Sequence, residues 1–145
     1  PNSEPIGPEE LLRLKCDILV PAALENVIHA RNAGSIDTKI IGEAANGPVT
    51  PDADRILEKQ GVFLVPDILC NAGGVTVSYF EWVQDEQHLF WEAQDVYNRL
   101  ERVMLTAFRD VLKIHVDRKV PMRIAANMLG IGRVAEAVKI RGIYP

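Results

Sequence analysis

Three short stretches decide the fold: Cys16-Asp-Ile-Leu-Val-Pro21, Thr38-Lys-Ile-Ile-Gly-Glu43 and Val62-Phe-Leu-Val-Pro66. Each is a brief apolar run, and two of them end on proline. Runs of this kind suit strands buried on both faces, as in a parallel sheet. Between the first two, residues 25–32 read as a helix, with Asn32-Ala-Gly34 as its stop. Between the second two, Thr50-Pro-Asp-Ala-Asp54 opens a helix with strong local chemistry. Thr50 caps the free N–H groups, Pro51 suits the first helical position, and Asp52 and Asp54 favour the positive end of the helix dipole. That helix runs to Gln60 and stops at Gly61. Residues 16–66 therefore read β-α-β-α-β with short connections, an α/β pattern of parallel pairing and right-handed crossovers.

Working outward, residues 1–7 are Pro/Gly-rich and read as a connection to something upstream. Residues 7–15 form a short helix with Pro8 in its first turn. Downstream the chain is helical. A helix over 72–84 follows a Gly-rich turn. From 91 to 119, Val96, Leu100, Val103, Met104, Ala107, Phe108, Val111 and Leu112 recur at helical spacing. Pro121 interrupts, and 122–138 make a last amphipathic helix.

Composition narrows the function classes. The 145 residues are the size of one domain, with 48% hydrophobic and 25% charged side chains, which excludes wholesale disorder. A net charge of −4 argues against a nucleic-acid partner, which calls for a basic stripe. No apolar stretch approaches the ~20 residues that span a bilayer, so no membrane is expected. The start, Pro1-Asn-Ser-Glu-Pro5, has no Met, no basic region and no apolar region. It reads as a cut end rather than a signal peptide. Cys16 and Cys70 lie in apolar runs outside any CxxC. They read as reduced thiols of an intracellular protein, with a disulfide or a nucleophile as the alternatives.

In an open parallel sheet, ligands bind beyond the carboxyl ends of the strands. Three segments fall there: Pro21-Ala-Ala23, Glu43-Ala-Ala-Asn-Gly-Pro48 and Pro66-Asp-Ile-Leu-Cys-Asn-Ala-Gly-Gly74. Small side chains let a ligand approach the backbone. The asparagines, Asn46 and Asn71, offer both donor and acceptor, which suits a carboxamide or a ribose hydroxyl. Asn-Gly and Asn-Ala-Gly-Gly are also ordinary turn chemistry. Together on one edge, however, the loops point to a site. Ser78 falls about one helical turn beyond the last loop and shares a side with Val75 at i, i+3. It either faces a ligand or is a solvated, back-bonded helix serine.

Other apparent motifs carry less. Gly130-Ile-Gly-Arg-Val-Ala135 matches a dinucleotide fingerprint, but it follows a helical pattern rather than a strand and reads as a helix joint. His29, His88 and His115 lack metal-ligand spacing, so no metal site is expected. Arg99, Glu101 and Arg102 read as a solvated helix face. Tyr79, Phe80 and Trp82 read as core or interface.

Two blocks resemble a known family. Glu43-Ala-Ala-Asn-Gly-Pro-Val-Thr-Pro-Asp-Ala-Asp54 and Pro66-Asp-Ile-Leu-Cys-Asn-Ala-Gly-Gly-Val-Thr-Val-Ser-Tyr-Phe-Glu-Trp82 look like the NAD(P)-binding domain of the glutamate dehydrogenases. Cys16-Asp-Ile-Leu-Val-Pro-Ala-Ala-Leu-Glu25 fits as well, and the likeness runs from Leu11 to Gly142. The related leucine, phenylalanine and valine dehydrogenases share the architecture. Ala44 stands where the family usually has Gly, and Cys70 where a small Ala is common.

The resemblance implies the second half of a Rossmann-like, doubly wound parallel sheet followed by C-terminal helices. Residues 16–84 would form the strand and helix portion and 85–145 the terminal helices. It implies NAD- or NADP-dependent deamination of L-glutamate to 2-oxoglutarate and ammonia, and the reverse, in the cytoplasm or the mitochondrial matrix. It places Ala22 and Ala23 beside the adenosine half of the cofactor and Asn46 near its nicotinamide end. Asn71 would lie near the nicotinamide and the substrate α-carbon, Ser78 would bond the substrate side-chain carboxylate, and Val75 would line that pocket. The substrate domain, with its catalytic lysines and aspartate, and the Gly-rich phosphate loop would lie upstream. No catalytic residue is then expected in this chain, which alone would be inactive and marginally stable. The rest of the same protein and a homo-oligomer, usually a homohexamer, are the implied partners. The alternative class is a non-catalytic dinucleotide-binding or regulatory module that keeps the fold.

Overall fold

The three apolar runs do pair. In the computed structural model, which describes residues 4–142, β1 (Ile18–Leu19), β2 (Ile40–Gly42) and β3 (Phe63–Val65) form a parallel sheet in the order β1-β2-β3. Ile18 lies opposite Ile40, Ile40 opposite Phe63, and Gly42 opposite Val65. The first three residues of the Pro/Gly-rich segment 1–7 lie outside the described residues. The chain divides into two compact units, one ending at Cys70 and the other beginning at Asn71.

In the first unit a short α1 (Pro8–Arg13) precedes the sheet, and α2 (Pro51–Lys59) connects β2 to β3. The α2 start follows its local chemistry: Pro51 takes the first position and the Thr50 hydroxyl oxygen accepts the Ala53 N–H at 3.4 Å. Ala53 and Leu57, four residues apart, share one helix face. Both are fully buried, in a core with Ile28, Ile36, Ile41, Val49 and Leu64. A further short helix, α3 (Asp67–Cys70), closes the unit. The strand-end segment 66–74, expected to be a loop, thus contains one helical turn.

Two expectations fail here. β1 is not buried on both faces: Ile18 is 59% exposed and Leu19 only half-buried. Residues 25–32 are not a helix. Asn26 takes a left-handed φ of 56°, and Ile28 instead forms a parallel bridge to Val49. The Asn32 side chain ties the segment in place, accepting the His29 N–H and donating to the Val27 carbonyl, both at 2.8 Å. Such side-chain bonds offer the backbone an alternative to helix, and burial of Ile28 decides the competition. One 3-10 turn, Ala33–Ser35, follows. The observed class is thus α/β with a three-stranded parallel sheet and terminal helices, its first crossover irregular.

The second unit is helical: α4 (Gly73–Gln87), α5 (Ala93–Arg118) and α6 (Met122–Arg141), with α4 against α5 and α5 against α6. Phe80 is buried, with its ring 5.7 Å from that of Trp91. Arg99, Glu101 and Arg102 are exposed, as a solvated helix face requires, and Arg99 also lies 4.2 Å over the Trp91 ring. α6 continues unbroken through Gly130 and Gly132, which are therefore neither a dinucleotide turn nor a joint. Among the described residues, no helix is long and apolar enough to cross a membrane.

Candidate functional site

In the first unit the loops after the three strands are bonded to one another. The Pro21 carbonyl, after β1, accepts the Ala44 and Ala45 N–H groups at 3.1 and 2.9 Å. Glu43, immediately after β2, is fully buried and its carboxylate accepts the Asp67 N–H at 2.7 Å. Asp67, after β3, accepts the Gly47 N–H at 2.8 Å. Pro21, Pro48 and Pro66 are buried beneath, whereas Ala22, Ala23, Ala44 and Asn46 are exposed. Three segments distant in sequence thus form one rim at the carboxyl ends of parallel strands.

This unit brings together Ala22, Ala23 and Asn46 of the expected site residues. The alanines carry nothing beyond Cβ, so the main chain is open to close approach. Asn46 presents an exposed amide on a turn whose Gly47 has a φ of 56°, a conformation that favours glycine. Cys70 closes α3 near Glu43. Burial pushes its thiol above the ordinary value, and the Glu43 carboxylate adds to the rise. A high thiol pKa disfavours the nucleophile alternative. Both Cys16 and Cys70 are free thiols, which removes the disulfide.

The second unit carries the other expected residues. Asn71 opens it, half-buried, and Val75 and Ser78 lie on one exposed side of α4, Val75 being 70% exposed. The Ser78 hydroxyl donates to the Gly74 carbonyl at 3.1 Å, the local bond expected of a helix serine. That bond uses the hydroxyl proton and leaves the oxygen able to accept. Among the described residues, no group of three or more His, Cys, Asp or Glu side chains is arranged to hold a metal ion.

Sequence reasoning passed over Glu43 and Asp67. The signal was present in a carboxylate directly following Ile40-Ile-Gly42, where the backbone is still within the buried sheet.

Residues 1–142 match the family described as Glutamate/Leucine/Phenylalanine/Valine dehydrogenase. The chain is 59% identical over 145 residues to the glutamate dehydrogenase of Thermotoga maritima, covering 100% of this chain and 35% of that protein. It is 54% identical over 134 residues to the catabolic NAD-specific glutamate dehydrogenase of Bacillus subtilis, covering 92% and 32% respectively. The crystal structure of the hetero-hexameric glutamate dehydrogenase of Thermus thermophilus superposes with a TM-score of 0.92 at 33% identity, over 97% of this chain and 34% of that one. The chain thus spans about a third of the length of the relatives it matches.

Proposed function

Because the chain belongs to the Glutamate/Leucine/Phenylalanine/Valine dehydrogenase family, we propose that it is part of the NAD(P)-binding domain of a glutamate dehydrogenase. On this reading residues 16–84 supply the cofactor rim and residues 85–145 the terminal helices of a Rossmann-like domain. The full-length protein interconverts L-glutamate with 2-oxoglutarate and ammonia. Glutamate is preferred over leucine, phenylalanine or valine because both curated relatives described above carry the glutamate name. The observation that carries the reading is the bonding of the Pro21, Glu43 and Asp67 loops into one rim at the strand ends.

Each residue then has a physical task. Ala22 and Ala23 admit the adenosine half of the dinucleotide to the main chain. Asn46 offers its amide to the nicotinamide end. The bound dinucleotide supplies the hydride acceptor or donor. Asn71 sits toward the nicotinamide and the substrate α-carbon. The Ser78 hydroxyl turns its proton from the Gly74 carbonyl to the substrate side-chain carboxylate, which can only accept, and Val75 supplies an apolar wall beside it. Holding reactants in register is the protein's share of such chemistry. The catalytic groups come from the rest of the full-length protein, and the 145-residue chain alone is inactive. The complete enzyme works in the cytoplasm, or the mitochondrial matrix of a eukaryote, as a homo-oligomer, with a homohexamer the first assembly to test.

The test is glutamate-dependent reduction of NAD, and then of NADP, by the full-length protein. NAD comes first because the Bacillus relative is NAD-specific. Turnover supports the reading. A folded full-length protein that binds NADH without turning over glutamate supports the non-catalytic module instead.

A further inference from the structure

We infer, on the premise that the Asn46 loop meets the dinucleotide, that Glu43 and Asp67 are positioning residues, a two-carboxylate relay that fixes the Asn46-Gly47 turn on the rim and thereby sets cofactor affinity.

A fully buried carboxylate must find donors, since burying an unpaired charge is costly. Glu43 is fully buried and takes the Asp67 N–H at 2.7 Å, fastening the end of β2 to the start of α3. Asp67 then reaches back to the Gly47 N–H at 2.8 Å, while its other oxygen takes the Ile68 N–H at 2.8 Å. The Gly47 carbonyl, on the far side of the same residue, accepts the Asn26 N–H at 2.8 Å. Gly47 is therefore gripped on both sides, and Asn46 is its immediate neighbour in the chain. Hydrogen bonds to ionised acceptors are shorter and stronger than neutral ones, which suits them to fixing a turn. The apolar core does not call for these acids. A well-packed hydrophobic residue would serve stability as well as a buried charge does. Their place at the ends of β2 and β3, with Asp67 bonded to the turn and Glu43 bonded to Asp67, has its reason in the site.

The experiment uses the full-length protein and reads NADH affinity by fluorescence titration, which needs no turnover, alongside KM for glutamate and the melting temperature. Asp67→Ala is expected to weaken NADH binding about tenfold, the effect of losing one hydrogen bond to a charged group. KM for glutamate should stay within about twofold, because the α4 face is untouched. Asp67→Asn retains an acceptor for the Gly47 N–H and is expected to restore most of the affinity. Glu43→Gln should likewise stay near wild type, with Glu43→Ala weaker than either conservative variant. A residue that merely supports the fold would lower the melting temperature and the active fraction while leaving NADH affinity per folded molecule unchanged. That outcome, or an Asp67→Asn as weak as Asp67→Ala, overturns the relay. If wild type binds NADH but does not turn over glutamate, the enzyme reading falls and the relay is still decided by the titration. If wild type binds no NADH, both fall.

Discussion

The two units place their functional groups by different means. In the first, the rim is fixed largely by main-chain bonds between loops, with Glu43 and Asp67 as the side-chain fasteners. In the second, Ser78 and Val75 owe their placement to the period of one helix. A loop-built rim suits a large cofactor bound along its backbone. A helix face suits discrimination by one or two side chains. In the proposed enzyme, then, damage to the first unit should read out in cofactor binding, and damage to the second in substrate binding.

The largest expected effect tests the apolar core of the first unit. Leu57→Ala removes a fully buried side chain and should cost on the order of 2–5 kcal/mol in denaturant unfolding of the full-length protein. Ile131→Ala, at a position 70% exposed on α6, should stay within about 0.5 kcal/mol. Equal losses would erase the contrast between a cored sheet unit and the exposed end of the last helix.

Next comes the substrate side. Ser78→Ala in the full-length enzyme should raise KM for glutamate by about 1.5–3 kcal/mol, roughly ten- to a hundredfold, while NADH affinity holds. Equal loss for glutamate and for an uncharged amino acid would contradict the role given to Ser78. Gly47→Ala probes the opposite side of the comparison. Space for a methyl is open there, yet the φ of 56° makes any Cβ strained, so the cost is about 1–2 kcal/mol. It should appear as weakened NADH binding with KM for glutamate preserved. If KM for glutamate moves instead, the division of labour is wrong.

The smallest effect lies at Cys70, the last residue of the first unit. Its thiol is pushed up by burial and then by Glu43, so alkylation at pH 8 should be slower than for an exposed cysteine peptide. Glu43→Gln removes the charge contribution, lowers the thiol toward its ordinary value and raises the thiolate fraction. Faster alkylation than in the wild type is the expected result. No change would mean that Glu43 does not act on this thiol.

The sequence disclosed the elements whose reasons are local. α2 was readable from Thr50, Pro51 and its two early aspartates, and β2 and β3 from apolar runs bounded by turn residues. Residues 25–32 were not readable, because Ile28 is committed to Val49, a partner 21 positions away, and not to its own neighbours. The strand-end loops holding Ala22, Ala23 and Asn46 were legible because parallel strands concentrate such loops on one edge. Glu43 and Asp67 stayed hidden, since an acid after a strand reads as solvated until its burial is known. Ser78 was foreseen with both of its options, and the bond to Gly74 shows that the local one is made.

The irregular crossover has a dynamic consequence. Residues 26 and 28 bond to Gly47, Pro48 and Thr50 in succession, like lacing along the length of the Asn46 turn. A turn laced in this way cannot breathe one peptide at a time. It stays shut until the whole seam parts, so its openings should be rare, cooperative and shared by both segments.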